Sequence, residues 1–190
     1  MPIYQSVGVG CFLSMMGATL PKGGVEIRAV HGRSDIESIR NKLSKVVADG
    51  EHEFSMWVDS DITFPVNGIM RLFGEMERRS DAGVMTGLYR GRRPPNDIVC
   101  FQTEIHGDKS GYVPIQVGNV AHLNLLEIDA CGAGFMMVRN EVFRQGARFS
   151  KVNGLSEDLS FCHSVKSLGW KVYAVPSIRC GHETFTTLEV

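Results

Sequence analysis

The alternation of short apolar runs with amphipathic stretches is the feature that most constrains the fold of this chain. The apolar runs have the length of buried strands, and the stretches between them space apolar side chains as a helix does. Such an alternation predicts an α/β domain with a mostly parallel central sheet flanked by helices. Strands are predicted at 25–30, 54–59, 82–89 and 170–176, helices at 34–50, 66–80 and 155–169, and a glycine-broken strand followed by a short helix within 127–143.

The stretch 90–127 interrupts this alternation. It carries several prolines and glycines and shows no long period, so we interpret it as a loop or a small antiparallel hairpin excursion. Long aperiodic segments inside compact domains often bind ligands, and we expect this one to border a binding site. An ordinary surface excursion explains the same composition.

The overall composition excludes several classes of protein. With 43% hydrophobic residues the chain can bury a core, which argues against disorder. A net charge of −1 and the absence of a Lys/Arg-rich block argue against capture of nucleic acid by charge. No apolar run has the length of a membrane span, and no signal peptide opens the chain. The five cysteines form no C-x-x-C pair and are interpreted as reduced thiols, which predicts a cytoplasmic protein.

The segment MWVDSDIT, at 56–63, places two aspartates at the end of an apolar strand. Side chains alternate along an extended chain, so Asp59 and Asp61 share one face. In open parallel sheets, ligands bind beyond the carboxyl ends of the strands. Two carboxylates this close favour a hard divalent cation, Mn²⁺ or Mg²⁺, together with phosphate oxygens of a substrate. An Asp-rich turn before Pro65 explains the same residues without a ligand.

The helix predicted at 155–169 opens with two acidic residues. On a helical wheel of about 100° per residue, Asp158 falls inside the apolar stripe and Glu157 at its margin. A carboxylate directed toward a core is unfavourable unless it meets a partner or a water-filled site. We therefore expect Asp158 to face a polar cleft. The alternative is that both acids only complement the helix dipole.

One arginine and one histidine raise similar questions. Arg40 falls within the apolar stripe of the helix at 34–50, where its guanidinium requires an anion, either a carboxylate or a diphosphate. An arginine whose charged end reaches solvent explains the position equally well. His182 follows the last predicted strand and is a candidate third ligand for Mn²⁺, although most loop histidines bind only protein groups.

Three segments taken together resemble a known family: WVDSDITFP at 57–65, DACGAGFMMVRNEVF at 129–143 and SEDLSFCHSVKSLGWKVYAVPSIRCGH at 156–182. They resemble the core of GT-A-fold glycosyltransferases of the broad family-two-like group, which carry a DXD motif. SIRNKL, at 38–43, is also similar to the Arg-Asn helix of related enzymes, including the Anp1-type mannosyltransferases. The order and spacing of the whole set carry this resemblance more than any single motif does.

The resemblance implies a site for a nucleotide sugar and a divalent metal. It makes Asp61 a metal ligand, Asp59 a contact to the metal or the ribose, and His182 a further metal ligand. The acidic residue near the acceptor hydroxyl is then Asp158, or else Glu157. Donor-binding residues are expected in the first strand, the Arg-Asn helix, the aspartate motif and the small-residue segment, namely Pro2, Tyr4, Arg33, Arg40, Asn41, Asp59, Ser60, Gly132, Ala133 and Gly134.

These expectations combine into a single GT-A-like, Rossmann-like domain over residues 1–190 that transfers a sugar from a nucleoside-diphosphate sugar to an acceptor hydroxyl. Residues 1–89 are expected to bind the nucleotide sugar, and residues 90–190 to face the acceptor. If the reaction inverts, Asp158 is the general base; if it retains, Asp158 positions the acceptor or stabilises the oxocarbenium-like centre. A nucleotidyltransferase on a related fold and a non-catalytic relative that binds sugar nucleotides or glycans remain open alternatives.

Overall fold

The computed structural model describes residues 2–3, 6–23, 25–31, 35–92, 94–106, 109–120, 122–152 and 154–184. Its helices are α1 (Val9–Gly17), α2 (Ile36–Asp49), α3 (Gly68–Arg78), α4 (Val117–Val120), α5 (Glu141–Arg144) and α6 (Glu157–Ser167). Its strands are β1 (Pro2–Ile3), β2 (Val30–His31), β3 (Phe54–Val58), β4 (Ile62–Thr63), β5 (Ala82–Leu88), β6 (Cys100–His106), β7 (Lys109–Pro114), β8 (Leu126–Ile128), β9 (Ala130–Cys131), β10 (Phe135–Arg139), β11 (Lys171–Arg179) and β12 (Gly181–His182).

Five strands form the central sheet, in the order β3-β10-β5-β11-β8. β5 and β11 are parallel, whereas β10 is antiparallel to both β3 and β5, and β8 is antiparallel to β11. The single mixed α/β domain is confirmed, but the prediction of a mostly parallel sheet is wrong. β10 follows a long excursion with strands of its own and not a crossover helix, so it can enter the sheet in the opposite direction.

The excursion after β5 contains the predicted antiparallel hairpin. β6 pairs with β7 along its whole length and with β9 on its other side, which makes a three-stranded sheet. β10 belongs to the second half of the chain yet lies between β3 and β5 of the first half. The two halves named in the sequence therefore share one sheet, and their separate roles stay a prediction.

The three long predicted helices are present as α2, α3 and α6. Near the start of the chain one predicted strand is mostly absent, and one helix was missed. Of the strand predicted at 25–30, only Val30 lies in β2, because the partner strand β1 is two residues long. The helix α1 was not predicted. Its sequence has no capping side chain at its start, and the carboxylate of Glu183 accepts from Gly10 N and Cys11 N instead. None of the described helices combines the length and hydrophobicity needed to cross a membrane.

Apolar side chains fill both faces of the central sheet. α2, α5 and α6 cover one face and α1 and α3 the other. On the first face Phe149 stacks on Phe161, with the two ring centroids 4.2 Å apart. Phe143 also stacks on Phe161. The guanidinium of Arg40, near the start of α2, lies over the Phe149 ring, 5.6 Å from its centroid.

Candidate functional site

The candidate site is built around the turn that follows β3. Asp59 N donates to the carbonyl of Gly134 at 2.9 Å, and Ile62 N donates to the carbonyl of Asp59 at 3.3 Å. The turn leads directly into β4, which pairs antiparallel with β12 so that Ile62 lies opposite His182. This pairing brings His182, which follows the last strand of the central sheet, to the aspartate motif.

Arg40 joins two of the predicted acidic residues in the interior. Its Nη2 lies 3.0 Å from both carboxylate oxygens of Asp59, and its Nη1 lies 2.6 Å from Glu157 Oε1. Arg40 is 3% exposed. The sequence left a carboxylate and a diphosphate open as its anion, and in the structure the anions are two carboxylates.

The charges around Arg40 outweigh its burial. Burial lowers the pKa of Arg40, but the attraction of Asp59, Asp158 and Glu157 is stronger, so the pKa of Arg40 is raised above its ordinary value. For Glu157 the balance is reversed. Burial raises the pKa of the Glu157 carboxyl, and Arg40 opposes this only in part because three acidic residues share its single guanidinium.

The two acids at the start of α6 occupy the opposite positions from those predicted. Glu157 is buried, at 8% exposure, and reaches Arg40. Asp158 is half-buried, and its Oδ1 accepts from Leu159 N at 2.9 Å and from the hydroxyl of Ser156. The predicted orientation was wrong because Glu157 lies one turn before Phe161, and the packing of that ring sets the rotation of the helix.

A second cluster joins Asp61, His182 and Arg92. Asp61 is 5% exposed, and its Oδ2 lies 3.5 Å from His182 Nε2. Arg92, on the loop after β5, forms an ion pair with the same Oδ2 through Nη2, and its Nε donates to His182 Nε2 at 2.8 Å. Arg92 was not among the predicted site residues, although it lies in the segment expected to border the site.

The hydrogen bond on the far side of the His182 ring defines its tautomer. Nδ1 lies 2.8 Å from the carbonyl oxygen of Arg90. Since a carbonyl oxygen can only accept, Nδ1 donates to it, and Nε2 accepts from Arg92 Nε beside Asp61. This is the orientation that a histidine needs in order to bind a metal ion.

The small-residue segment packs against Tyr89, a residue that the sequence analysis missed. Gly134 N donates to the Tyr89 hydroxyl at 2.9 Å. A Cβ on Gly134 would come within 2.9 Å of the Tyr89 ring, and one on Gly132 would clash with the hydroxyl. Burial raises the pKa of Tyr89 well above its ordinary value, so the phenol keeps its proton. Close packing on Tyr89 is therefore a reason for these glycines that requires no donor sugar.

Two of the remaining predicted donor residues have structural contacts. Asn41 donates from Nδ2 to the carbonyl of Phe149 at 2.6 Å and accepts from Phe149 N at 3.1 Å, so its amide holds the segment that carries this ring. Its role as a donor contact stays a prediction. Ser60 accepts from Gly8 N at 2.7 Å through its carbonyl, which ties the start of α1 to the aspartate motif.

The remaining predicted donor residues are Pro2, Tyr4, Arg33 and Ala133. The backbone of Pro2 pairs with Val30 between β1 and β2. Tyr4 and Arg33 lie outside the residues that the structure describes. Ala133, in the small-residue segment, is buried at 1% exposure.

The predicted metal ligands form a pair and not a triad. Within the described part of the chain, no three His, Cys, Asp or Glu side chains lie close enough together to hold a metal ion. Asp59 is turned to Arg40, and its role as a metal ligand stays a prediction. Asp61 and His182 still fit the preferences of Mn²⁺, because they offer a carboxylate oxygen and an imidazole nitrogen. Phosphate oxygens and water commonly complete such a coordination shell.

Comparison with known proteins shows the fold alone. No protein-family model matches this chain, and no curated protein sequence matches it either. Among solved structures, A197 from STIV superposes with a TM-score of 0.68 at 15% sequence identity, over 97% of this chain and 83% of that one. GalNAc-T7, whose crystal structure contains UDP, GalNAc and Mn²⁺, superposes with a TM-score of 0.54 at 13% identity, over 81% of this chain and 32% of its own.

These likenesses and the sheet order define a GT-A-like fold, as the sequence resemblance implied. This chain spans about a third of the length of GalNAc-T7, so what that protein binds bears on this one only as a proposal. The assignment of a DXD motif and the similarity to Anp1-type enzymes stay predictions.

Proposed function

We propose that this protein transfers a sugar from a nucleoside-diphosphate sugar to an acceptor hydroxyl. The observation that carries the proposal is the meeting of Asp61 and His182 Nε2 at the end of β3, 3.5 Å apart, on a GT-A-like fold. A carboxylate and an unprotonated imidazole nitrogen just beyond the carboxyl end of β3 suit a divalent metal that also holds a diphosphate. The compartment in which it acts is expected to be the cytoplasm.

Asp61 and His182 are the residues that would hold Mn²⁺ or Mg²⁺. When bound there, the metal ion would neutralise the negative charge that develops on the diphosphate leaving group. His182 is oriented for this role by the Arg90 carbonyl, and Asp61 by its burial beside β12. Asp59, with a side chain that is 30% exposed, is proposed to bind the ribose, and its pairing with Arg40 would fix its orientation.

Asp158 is the candidate for the acceptor side. Its Oδ1 is occupied by Leu159 N and the Ser156 hydroxyl, and no other described residue binds its Oδ2. An ionised carboxylate with one free oxygen can accept the proton of an acceptor hydroxyl, as a general base does in an inverting reaction. Glu157 is unsuited to this role because its charge is paired with Arg40. It holds Arg40, and through it Asp59, in place.

Binding measurements test the proposal directly. The wild-type protein is titrated with UDP and GDP, each with Mn²⁺ and with EDTA, and release of free sugar from the corresponding donors is measured in parallel. We expect tighter binding of at least one nucleoside diphosphate with Mn²⁺, and loss of that gain in Asp61→Asn. Asp97→Asn, an acidic residue on the loop that carries Arg92, serves as the matched control.

Other results would favour the other readings of the sequence. Stabilisation by nucleoside triphosphates alone would favour a nucleotidyltransferase. Metal-dependent binding without any hydrolysis or transfer would favour a non-catalytic relative. Unchanged diphosphate affinity in EDTA would contradict the role of the metal.

A further inference from the structure

We propose that Arg92 is a displaceable cation that occupies the Asp61–His182 pair, and that a divalent metal binds this pair only by displacing it. The inference rests on the proposed function, since it concerns the same two residues. It adds to that function a residue that competes with the metal.

The contacts of Arg92 coincide with the positions that a metal ion would use. Its Nη2 pairs with Asp61 Oδ2, and its Nε donates to His182 Nε2 at 2.8 Å. These are the carboxylate oxygen and the lone pair that face each other across 3.5 Å. A guanidinium and a divalent cation cannot share these two atoms, because each needs the same lone pairs and both are positively charged.

The need for a cation at this position follows from burial. Asp61 is 5% exposed, and its Oδ2 lies 3.5 Å from His182 Nε2. A buried carboxylate without a partner is strongly unfavourable. Arg92 provides the positive charge in the absence of a metal, so the pair is stabilised in both forms.

The position of Arg92 allows it to leave. Its side chain is 52% exposed, on the loop between β5 and β6. It also lines a cavity of about 360 Å³ together with Arg90, Arg179 and His182. A guanidinium displaced from Asp61 can therefore turn into solvent, where its charge is hydrated. Arg40, held by two carboxylates at 3% exposure, has no such route.

Competition of this kind lowers the measured affinity for the metal. The apparent dissociation constant is the intrinsic one divided by the fraction of molecules in which the pair is open. If Arg92 closes the pair in about nine molecules of ten, its removal tightens metal binding about tenfold. The substitution Arg92→Gln removes the charge and keeps most of the length of the side chain.

The experiment measures Mn²⁺ binding by calorimetry without any nucleotide. We expect Arg92→Gln to bind Mn²⁺ about tenfold more tightly than the wild type. Arg179→Gln is the matched control, because Arg179 lines the same cavity but makes no contact with Asp61. Its affinity for Mn²⁺ should equal that of the wild type. Circular dichroism confirms that each variant is folded, and Arg92→Ala repeats the test should the glutamine variant be unstable.

The outcomes separate this inference from the proposed function. Equal or weaker Mn²⁺ binding by the Arg92 variants, with binding lost in Asp61→Asn, overturns the competition and leaves the metal site standing. An equal gain in Arg179→Gln also overturns it, because the effect would then come from the charge of the cavity in general. If Asp61→Asn binds Mn²⁺ as the wild type does, both the competition and the metal role of Asp61 fail. Donor hydrolysis in EDTA then shows whether the transfer itself survives.

Discussion

Arg40 and Arg92 each hold residues of the candidate site, but in opposite settings. Arg40 comes from α2, is 3% exposed and lies over the ring of Phe149. Arg92 comes from a loop, and its side chain is 52% exposed. A buried ion pair cannot exchange its partners for water, whereas an exposed arginine can. The comparison teaches that Arg40 belongs to the buried scaffold of the site, whereas Arg92 belongs to its solvent-exposed side.

The largest expected effect is the loss of Arg40. Arg40→Met should lower the free energy of unfolding by roughly 3–5 kcal/mol, because it leaves Asp59 and Glu157 without their cation in the interior. Urea unfolding followed by circular dichroism measures this change. Normal stability together with weakened nucleoside-diphosphate binding would mean that Arg40 acts on the ligand, and would break the comparison.

The two acidic residues at the start of α6 differ in the same way. Asp158 lies toward the solvent, and Glu157 lies toward Arg40. Asp158→Asn should slow transfer by about 10²–10⁴-fold, the usual contribution of a general base, with donor affinity nearly unchanged. Glu157→Gln should affect stability more than the rate of transfer. Rates and donor dissociation constants of both variants, measured with the same donor, test this division. A fast Asp158→Asn protein beside a slow Glu157→Gln protein would reverse the roles.

The Arg40 network should also respond to pH in a defined direction. The folded protein holds the pKa of Glu157 above its ordinary 4.5, so the folded state binds this proton more tightly than the unfolded state. The contribution of Glu157 to stability is therefore fully present below the unfolded pKa and is lost as pH rises through the folded pKa. The difference in free energy of unfolding, wild type minus Glu157→Gln, should therefore decrease as pH rises over this range. A difference that grows with pH would mean that the effect of Arg40 on the pKa of Glu157 is larger than the effect of burial.

The smallest effect is expected at Arg92. Arg92→Gln should lower the free energy of unfolding by roughly 1–3 kcal/mol, less than the loss of Arg40, because it removes the cation from one buried carboxylate, Asp61, and not from two acidic residues. The same urea titration used for Arg40→Met measures it. A loss as large as that of Arg40→Met would show that both arginines belong to the scaffold.

The amino-acid sequence alone predicted much of the fold and part of the site. The helices α2, α3 and α6 were predictable because apolar spacing and end signals are local properties of the chain. The sequence also indicated that Arg40 needs an anion and that Asp61 and His182 are related. It could not predict the antiparallel entry of β10, because the direction of a strand depends on a long connection and not on its own residues.

The orientation of side chains was decided by packing in three dimensions. Glu157 and Asp158 are neighbours on a first helical turn, and a wheel cannot tell which of them faces inward until the ring of Phe161 sets the rotation. The glycines at 132 and 134 stood out in the sequence, but their contact with Tyr89 joins residues more than forty positions apart.

The sequence by itself thus determined which residue types the site contains and at which strand and helix ends they lie, because those properties follow from local periodicity. Only the tertiary structure decided the partners. It assigned Asp59 and Glu157 to Arg40, and Asp61 to His182 and Arg92. The physical reason is that charges far apart in the chain pair according to burial and distance, and both are defined only when the helices have packed on the sheet.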